Sequence, residues 1–186
     1  MRSVVKIAII SLCITCCSTV ELDKEFSCNT ESFIGATETL TDAKKTFSIQ
    51  LPKHWKTKLF YDNIQSSIYS ADTTKQLSET VLIDITQLQK AYRFEALFKK
   101  ELLANDTLKN LKNKKLQAFQ FKNNTGFYAI SKGKKGSFSY QVLNIFLQHT
   151  KNSSFHLKTE VYGDAEINNR FCKALQTLNT IIINEP

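Results

Sequence analysis

The sequence predicts a single α+β domain, built as an antiparallel β-sheet with helices packed on it. Two observations indicate this class. Short runs that alternate apolar and polar residues are separated by turn residues, which is typical of strands joined by hairpins. Two longer runs, after the third and the seventh predicted strands, repeat apolar residues at helical spacing. This order favours one antiparallel sheet covered by helices over alternating parallel units.

The first three strands and the first helix follow a polar segment. Residues 17–45 are rich in polar side chains without periodicity, and we predict a flexible tether there. Ordered structure is predicted from Thr46, with strands over 47–51, 65–71 and 80–86. The spacing then changes and predicts a helix over 89–104. Its buried face is expected to comprise Phe94, Leu97, Phe98 and Leu102.

Four strands and a second helix complete the domain, which we place at residues 46–186. The strands are predicted over 117–121, 127–132, 137–149 and 155–162, with Gly133 to Gly136 as a hairpin turn. The strand over 137–149 is apolar on both faces, so we expect it to be central and to bury Val142, Ile145 and Phe146. In the last strand His156, Lys158 and Glu160 are expected to point outward. A helix over 165–181 should begin at Asp164 as its N-cap.

The first 16 residues have the organisation of an export signal. Arg2 and Lys6 precede an apolar run over residues 7–14, which is too short to span a bilayer. Small residues follow that run. We therefore predict that residues 1–16 are a signal peptide.

The end of this signal resembles the lipobox of bacterial lipoproteins in the residues Ile14-Thr15-Cys16-Cys17. An aliphatic residue and two small ones precede the lipidated cysteine in that motif, which selects Cys17. Choosing Cys16 would put Cys13 in the aliphatic position. The resemblance implies an envelope protein held in the membrane by its N-terminal lipid, and Ser18 favours the outer membrane. An ordinary cleaved signal with incidental cysteines is the alternative.

Two cysteines, Cys28 and Cys172, remain after processing if Cys17 carries lipid. Disulfides persist in exported proteins, so a bond between these two cysteines is one interpretation and two free thiols are the other. Neither cysteine has a partner at metal-ligand spacing, and we predict no metal site.

The composition fits one globular domain. The chain has 186 residues, of which 42% are hydrophobic and 11% aromatic, a size that can bury a proper core. Its net charge of +8 comes from lysines spread over most of the sequence. We interpret this charge as ordinary solubilisation, with attraction to an anionic surface as the alternative. An exported protein rarely meets nucleic acid, and we expect no such partner.

The start of the domain, Phe47-x-Ile49-x-Leu51-Pro52-x-x-Trp55, and the order of strands and helices resemble PsbP-like proteins. The resemblance covers residues 46–183. It implies an α/β/α sandwich and an accessory or binding role, and it supplies no catalytic residue. A cystatin- or lipid-transfer-type half-barrel with a large apolar cavity is the alternative fold.

The sequence names no reaction. Gly-x-Ser-x-Gly is absent, and we interpret His54, His149 and His156 as surface or edge residues. Trp55 either plugs one end of the core, which we favour, or lines a contact site for a ligand or partner. We expect no enzyme activity and no cofactor. The function predicted is a non-enzymatic accessory module that binds another envelope protein. The alternatives are a carrier or sensor of an apolar or anionic small molecule and, less favoured, an envelope hydrolase.

Overall fold

The computed structural model describes residues 20–28 and 35–184, so Cys17 lies outside the described residues. The main sheet has seven antiparallel strands. From one edge to the other they are β3 (Lys56–Tyr61), β4 (Gln65–Ala71), β5 (Val81–Leu88), β9 (Ser153–Tyr162), β8 (Phe138–Thr150), β7 (Asn124–Lys135) and β6 (Leu111–Phe121).

In the part of the chain that the structure describes, a smaller sheet and three helices complete the architecture. The smaller sheet has the order β1 (Thr37–Thr41), β2 (Phe47–Pro52) and β10 (Ile182–Ile183). The helices are α1 (Val20–Glu25), α2 (Ala96–Leu108) and α3 (Ile167–Leu178), and one short 3-10 turn covers Leu77–Glu79. None of the helices in residues 20–28 and 35–184 has the length and apolar character needed to cross a membrane.

The main core lies between the seven-stranded sheet and a layer made by α3, α1 and the smaller sheet. Alternate residues of β8 face this layer because side chains along a strand point to opposite faces. The fully buried residues of the main core come from both layers and include Phe47, Ile49, Leu51, Leu143, Ile145, Leu147, Phe171 and Leu178.

The prediction that β8 is central is confirmed. Hydrogen bonds to β7 and β9 flank it on both sides. Ile145 faces the main core, whereas Val142 and Phe146 are buried on the opposite face of the sheet, so both faces of β8 are covered. Helices therefore lie on both faces of the sheet, as an α/β/α sandwich requires.

The second face is covered at one end by α2 and the segment that precedes it. An aromatic cluster fills the interface, with Tyr92, Phe94 and Phe98 on one side and Phe127 and Phe146 on the other. The predicted helix limits were wrong at the start, because the backbone N–H of Tyr92 donates to Oε1 of Gln148 and residues 89–95 are not helical. Leu97 was expected in the core and is 63% exposed.

Ordered structure begins before Thr46, so that part of the tether prediction is wrong. Helix α1 buries Leu22 in the main core, the turn after it buries Phe26, and β1 pairs with β2 along its whole length. Segment 17–45 thus contributes two elements to the fold. Its polar composition concealed them because most side chains of β1 are exposed.

Three turn and cap predictions also change. Strand β7 continues through Lys135, which leaves Gly136 and Ser137 as a two-residue turn rather than residues 133–136. The preceding turn, expected in the gap between the predicted strands over 117–121 and 127–132, is only Lys122-Asn123, both with positive φ. Helix α3 begins at Ile167, and Asp164 does not cap it.

Candidate binding surfaces

Cys28 and Cys172 form a disulfide, with Cα atoms 5.4 Å apart. This is the first of the two alternatives that the sequence leaves open. Phe26 stacks on Phe171 beside the bond, with ring centroids 4.5 Å apart. Cys172 is 4% exposed, because α1 covers that side of α3. The bond and the aromatic pair together fasten α1 to the last helix.

Trp55 lies in the tight turn between β2 and β3. Its backbone N–H donates to the carbonyl of Pro52 at 3.0 Å, and its half-buried side chain packs against the main core. The favoured expectation was that this residue closes one end of the core, and its position fits that role.

The three histidines have different surroundings. His54 is largely exposed, and its Nε2 lies 3.8 Å from Oδ2 of Asp72. His149 is half-buried, and its Nδ1 lies 3.4 Å from Oδ1 of Asn124. His156 was expected on the surface, which is wrong, because its half-buried ring stacks on Phe146. Burial lowers its pKa to about 3. Over residues 20–28 and 35–184, no three His, Cys, Asp or Glu side chains are grouped to hold a metal ion.

A polar cluster that the sequence analysis did not predict lies on the second face, beside α2. Nζ of Lys158 lies 3.1 Å from Oδ2 of Asp84 and 3.1 Å from Oε1 of Glu160. The hydroxyl of Tyr162 donates to Oε2 of Glu160 at 2.8 Å, and Nζ of Lys135 donates to that hydroxyl at 2.9 Å. Lys158 and Glu160 are therefore partly enclosed, and the expectation that they point outward to solvent is wrong.

Three groups of this cluster, Lys158, Glu160 and Tyr162, have shifted pKa values. Burial alone would lower the pKa of Lys158, but Glu160 and Asp84 outweigh it and raise that pKa. Burial would raise the pKa of Glu160, but Lys158 and the hydrogen bond from Tyr162 lower it. The pKa of Tyr162 is raised by burial and by Glu160. An acid–base catalyst needs a pKa near the working pH, and these shifts move each group away from it.

The two edges of the main sheet differ. The first half of the β6 edge carries Lys112, Lys114 and Lys115. The pairing of β6 with β7 shifts in register between Asn113 and Lys115, and Lys115 forms an ion pair with Glu25. Lysines and bulges of this kind protect an edge from pairing with other chains. The β6 edge is therefore a protected one.

The β3 edge is protected only in its first half, where Lys56 and Lys58 lie. The second half and the turn after it expose Leu59 at 46%, Phe60 at 50%, Tyr61 at 70% and Ile64 at 64%. We refer to these four residues as the β3 patch. Among residues 20–28 and 35–184, no strand pairs with the outer side of β3, so the patch combines the free backbone groups of an edge strand with adjacent apolar side chains. These are the two features that bind an extended peptide.

Comparison with known proteins shows the fold. No protein-family model and no curated protein matches the sequence. A Bacteroides thetaiotaomicron crystal structure aligns with a TM-score of 0.51 and 13% identity over 82% of this chain, which spans only 50% of that protein. The solution structure of cyanobacterial PsbP, CyanoP from Synechocystis sp. PCC 6803, aligns with a TM-score of 0.50 and 6% identity, covering 84% of this chain and 97% of that one. The fold is PsbP-like. The PsbP-like architecture predicted from residues 47–55 and the element order is confirmed, and identities this low support the fold alone.

Proposed function

We propose that this chain is a lipid-anchored envelope protein that binds another envelope protein through the β3 patch and catalyses no reaction. The observation that carries the proposal is the contrast between the two sheet edges. The β6 edge has lysines, a register break and an ion pair, whereas the end of β3 exposes Phe60 and Tyr61 beside backbone groups that no other described strand pairs with. A protein with one protected and one apolar edge is suited to a partner that adds a strand.

The partner expected at this edge is an extended segment of another protein. Its backbone would pair with β3, and alternate apolar side chains would cover Leu59 and Tyr61 on one face and Phe60 on the other. Lys56 and Lys58 lie further along the same strand, so an acidic residue toward that end of the partner segment would add charge complementarity.

Sequence features support the envelope setting of the proposal. Residues 1–16 resemble a lipoprotein signal and Cys17 the lipidated cysteine, and Ser18 favours the outer membrane. The Cys28–Cys172 disulfide is consistent with an oxidising compartment outside the cytoplasm. The pKa shifts of Lys158 and Glu160 support a role without acid–base chemistry, against the hydrolase alternative.

Site-specific photo-cross-linking tests the proposal. A photoreactive phenylalanine analogue placed at position 60 is expected to cross-link repeatedly to one other envelope protein in intact cells. The matched control has the analogue at Leu108, which is 83% exposed at the end of α2 and lies outside the β3 patch. The control is expected to give no cross-link to that protein.

A second measurement tests the same surface by substitution. In a pull-down from detergent-solubilised membranes, the double variant Phe60→Lys/Tyr61→Lys should lose the cross-linked partner, because charge at these positions opposes burial of the edge. The variant Leu108→Lys should retain it. Retention of the partner by the double variant, or cross-links that join two copies of this chain, would contradict the proposal.

A further inference from the structure

A cleft opens between the two layers of the domain, at the end opposite the 3-10 turn. The β3 patch lies at the same end of the main sheet, since Tyr61 pairs with Ser66 and Ser66 pairs with Gln87 of the cleft. Its volume is about 320 Å³, near the lower end of the range of about 300–1,000 Å³ typical of small-ligand pockets. Phe155 and Ile183 supply its apolar wall. Phe155 is itself held by an edge-to-face contact with Phe47, whose ring centroid is 5.6 Å away.

Three side chains that line this interlayer cleft have a buried polar atom without a hydrogen-bond partner in the described part of the chain. These atoms are Oγ1 of Thr46, Oε1 of Gln87 and Nε2 of His149. Gln87 is only 6% exposed. Buried polar groups in proteins are almost always hydrogen-bonded, so these three atoms are available to bond a molecule that enters the cleft.

The chemistry of these atoms defines what the partner must offer. The amide Nδ2 of Asn124 donates to the carbonyl of Lys122 at 3.0 Å, which leaves Oδ1 as the acceptor that faces Nδ1 of His149. Nδ1 of His149 is therefore the donor in this pair, and Nε2 is the acceptor in the tautomer that carries its proton on Nδ1. Oε1 of Gln87 is also an acceptor. The partner must therefore supply at least two hydrogen-bond donors.

The charge of the cleft is positive. Lys44 and Lys45 line it, and no aspartate or glutamate is among its lining residues. Neither lysine is in an ion pair within residues 20–28 and 35–184. An anionic group on the partner would thus meet two free ammonium groups.

The turn that carries these lysines is held in place before any ligand binds. Oδ1 and Oδ2 of Asp42 accept hydrogen bonds from the backbone N–H groups of Phe47 and Lys44, at 2.8 and 2.9 Å. The amide of Asn184 donates to the carbonyl of Lys45 at 2.8 Å. Preorganisation of this kind reduces the entropy lost on binding.

We propose that the interlayer cleft binds a small molecule that carries several hydroxyl groups and one anionic group, such as a sugar acid or a sugar phosphate. Hydroxyl groups donate to Gln87 and His149, the anionic group pairs with Lys44 and Lys45, and the carbon skeleton packs on Phe155. This site shares no residue with the β3 patch, and the proposal does not rest on protein docking.

Ligand-observed NMR tests this site with the full-length protein in a detergent that has no sugar headgroup. D-glucuronate and glucose 6-phosphate are titrated as anionic probes, D-glucose as the neutral match, and acetate as the anion without hydroxyl groups. Saturable binding of at least one anionic probe is expected, with D-glucose and acetate at least about tenfold weaker, because each lacks one of the two interactions. Comparison of D-glucuronate with glucose 6-phosphate shows whether the cleft prefers a carboxylate or a phosphate as the anionic group.

Variants locate the binding. Two variants are expected to lower the affinity for the anionic probe by about tenfold each: Gln87→Leu, and the double variant Lys44→Gln/Lys45→Gln. The first loses a hydrogen bond and the second loses the charge contacts. Lys112→Gln/Lys114→Gln on β6 removes the same charge elsewhere and should leave binding unchanged. Thr46→Val, which alters a less buried residue, gives a second reading if Gln87→Leu does not fold. No saturable binding of either anionic probe, or equal binding by the cleft variants and the β6 control, overturns the proposal.

Discussion

His156 lies flat on Phe146, with ring centroids 4.5 Å apart and planes within 7° of parallel. Its Nε2 donates to Oδ1 of Asn144 at 2.9 Å. Burial, with smaller contributions from Lys158 and Lys109, lowers its pKa from 6.5 to about 3. The ring is therefore neutral at neutral pH and packs against β8.

Protonation of His156 links folding to pH. The pKa is lowered in the folded state, so between pH 6.5 and about 3 the unfolded chain binds more protons than the folded one. We expect the free energy of unfolding to fall by up to about 1.4 kcal/mol per pH unit below pH 6.5 on account of this residue. Urea unfolding between pH 7.5 and about 4.5, above the range in which most carboxylates titrate, measures the effect.

His156→Gln has no titrating ring and should lose this pH dependence, whatever its stability at pH 7.5. Replacement of the exposed His54 by Gln is the matched control and should retain the pH dependence of the wild type. A wild-type pH dependence in His156→Gln would show that other groups are responsible.

The disulfide should contribute strongly to stability, because it closes a loop across 144 positions of the sequence. The double variant Cys28→Ser/Cys172→Ser is expected to lose about 2–5 kcal/mol of unfolding free energy. Denaturant unfolding of the wild type with and without reductant measures the same quantity. An unfolding curve that does not respond to reductant would mean that the two thiols are free in the folded protein.

Removal of the cation from the polar cluster should be costly. Lys158→Met leaves Asp84 and Glu160 without their shared ammonium group, and we expect the free energy of unfolding to fall by about 2–4 kcal/mol at pH 7. Because the pKa of Glu160 is lowered in the folded protein, its contribution is present above pH 4.5 and is lost as the pH falls below it. The difference between Lys158→Met and wild type should therefore shrink in acid. Lys134→Met, at an exposed position, should change stability by less than about 0.5 kcal/mol.

Gly163 ends β9 at a close approach to another backbone segment. Its φ is +76°, and a Cβ placed there would lie 2.1 Å from the carbonyl oxygen of Ser78. Gly163→Ala is expected to lower the free energy of unfolding by about 2–4 kcal/mol, because alanine is strained in the left-handed backbone and its Cβ would push the Ser78 carbonyl away. Gly136 has a φ of +61° with open space around it, so Gly136→Ala should cost only about 1 kcal/mol. Equal thermal shifts for the two variants would contradict the contact with Ser78.

The proposed anchor has its own test. Mass spectrometry of the N-terminal peptide from membrane-extracted protein should find Cys17 as the first residue and acylated. Each buried methylene of the lipid contributes about 0.8 kcal/mol, so Cys17→Ser should move the protein from the membrane to the soluble fraction. An unmodified N-terminal peptide that begins after Cys17 would contradict lipidation.

Elements whose faces are buried could be predicted from the sequence. Strand β8 carries apolar residues on both faces because both are covered, and the stripe of Phe171, Leu175 and Leu178 in α3 records a single buried face. Strands β1 and β3 are mostly exposed, so burial imposes no alternation on their sequences. Helix α2 was placed too early because Phe94, which precedes it, packs in the same cluster as Phe98.

The polar cluster and the interlayer cleft could not be predicted, because both depend on which strands become neighbours. Asp84 reaches Lys158 only because β5 pairs with β9, far from it in sequence, in a register that sets these two residues opposite each other. Gln87 and His149 likewise come to one cleft from β5 and β8. The spacing of Lys158 and Glu160 does indicate a shared face of one strand, but it does not identify what covers that face.

The burial of Leu22 limits how far the domain can stand from a membrane. Four residues separate Cys17 from Leu22, which is 1% exposed in the main core. Even a fully extended chain over that interval reaches only about 17 Å. In the proposed anchored form the protein would therefore work close against the bilayer, within reach of partners that lie at or in the membrane. Reduction of the Cys28–Cys172 bond would remove one of the contacts that hold α1 on the domain, and the connection between Cys17 and the folded core could then lengthen.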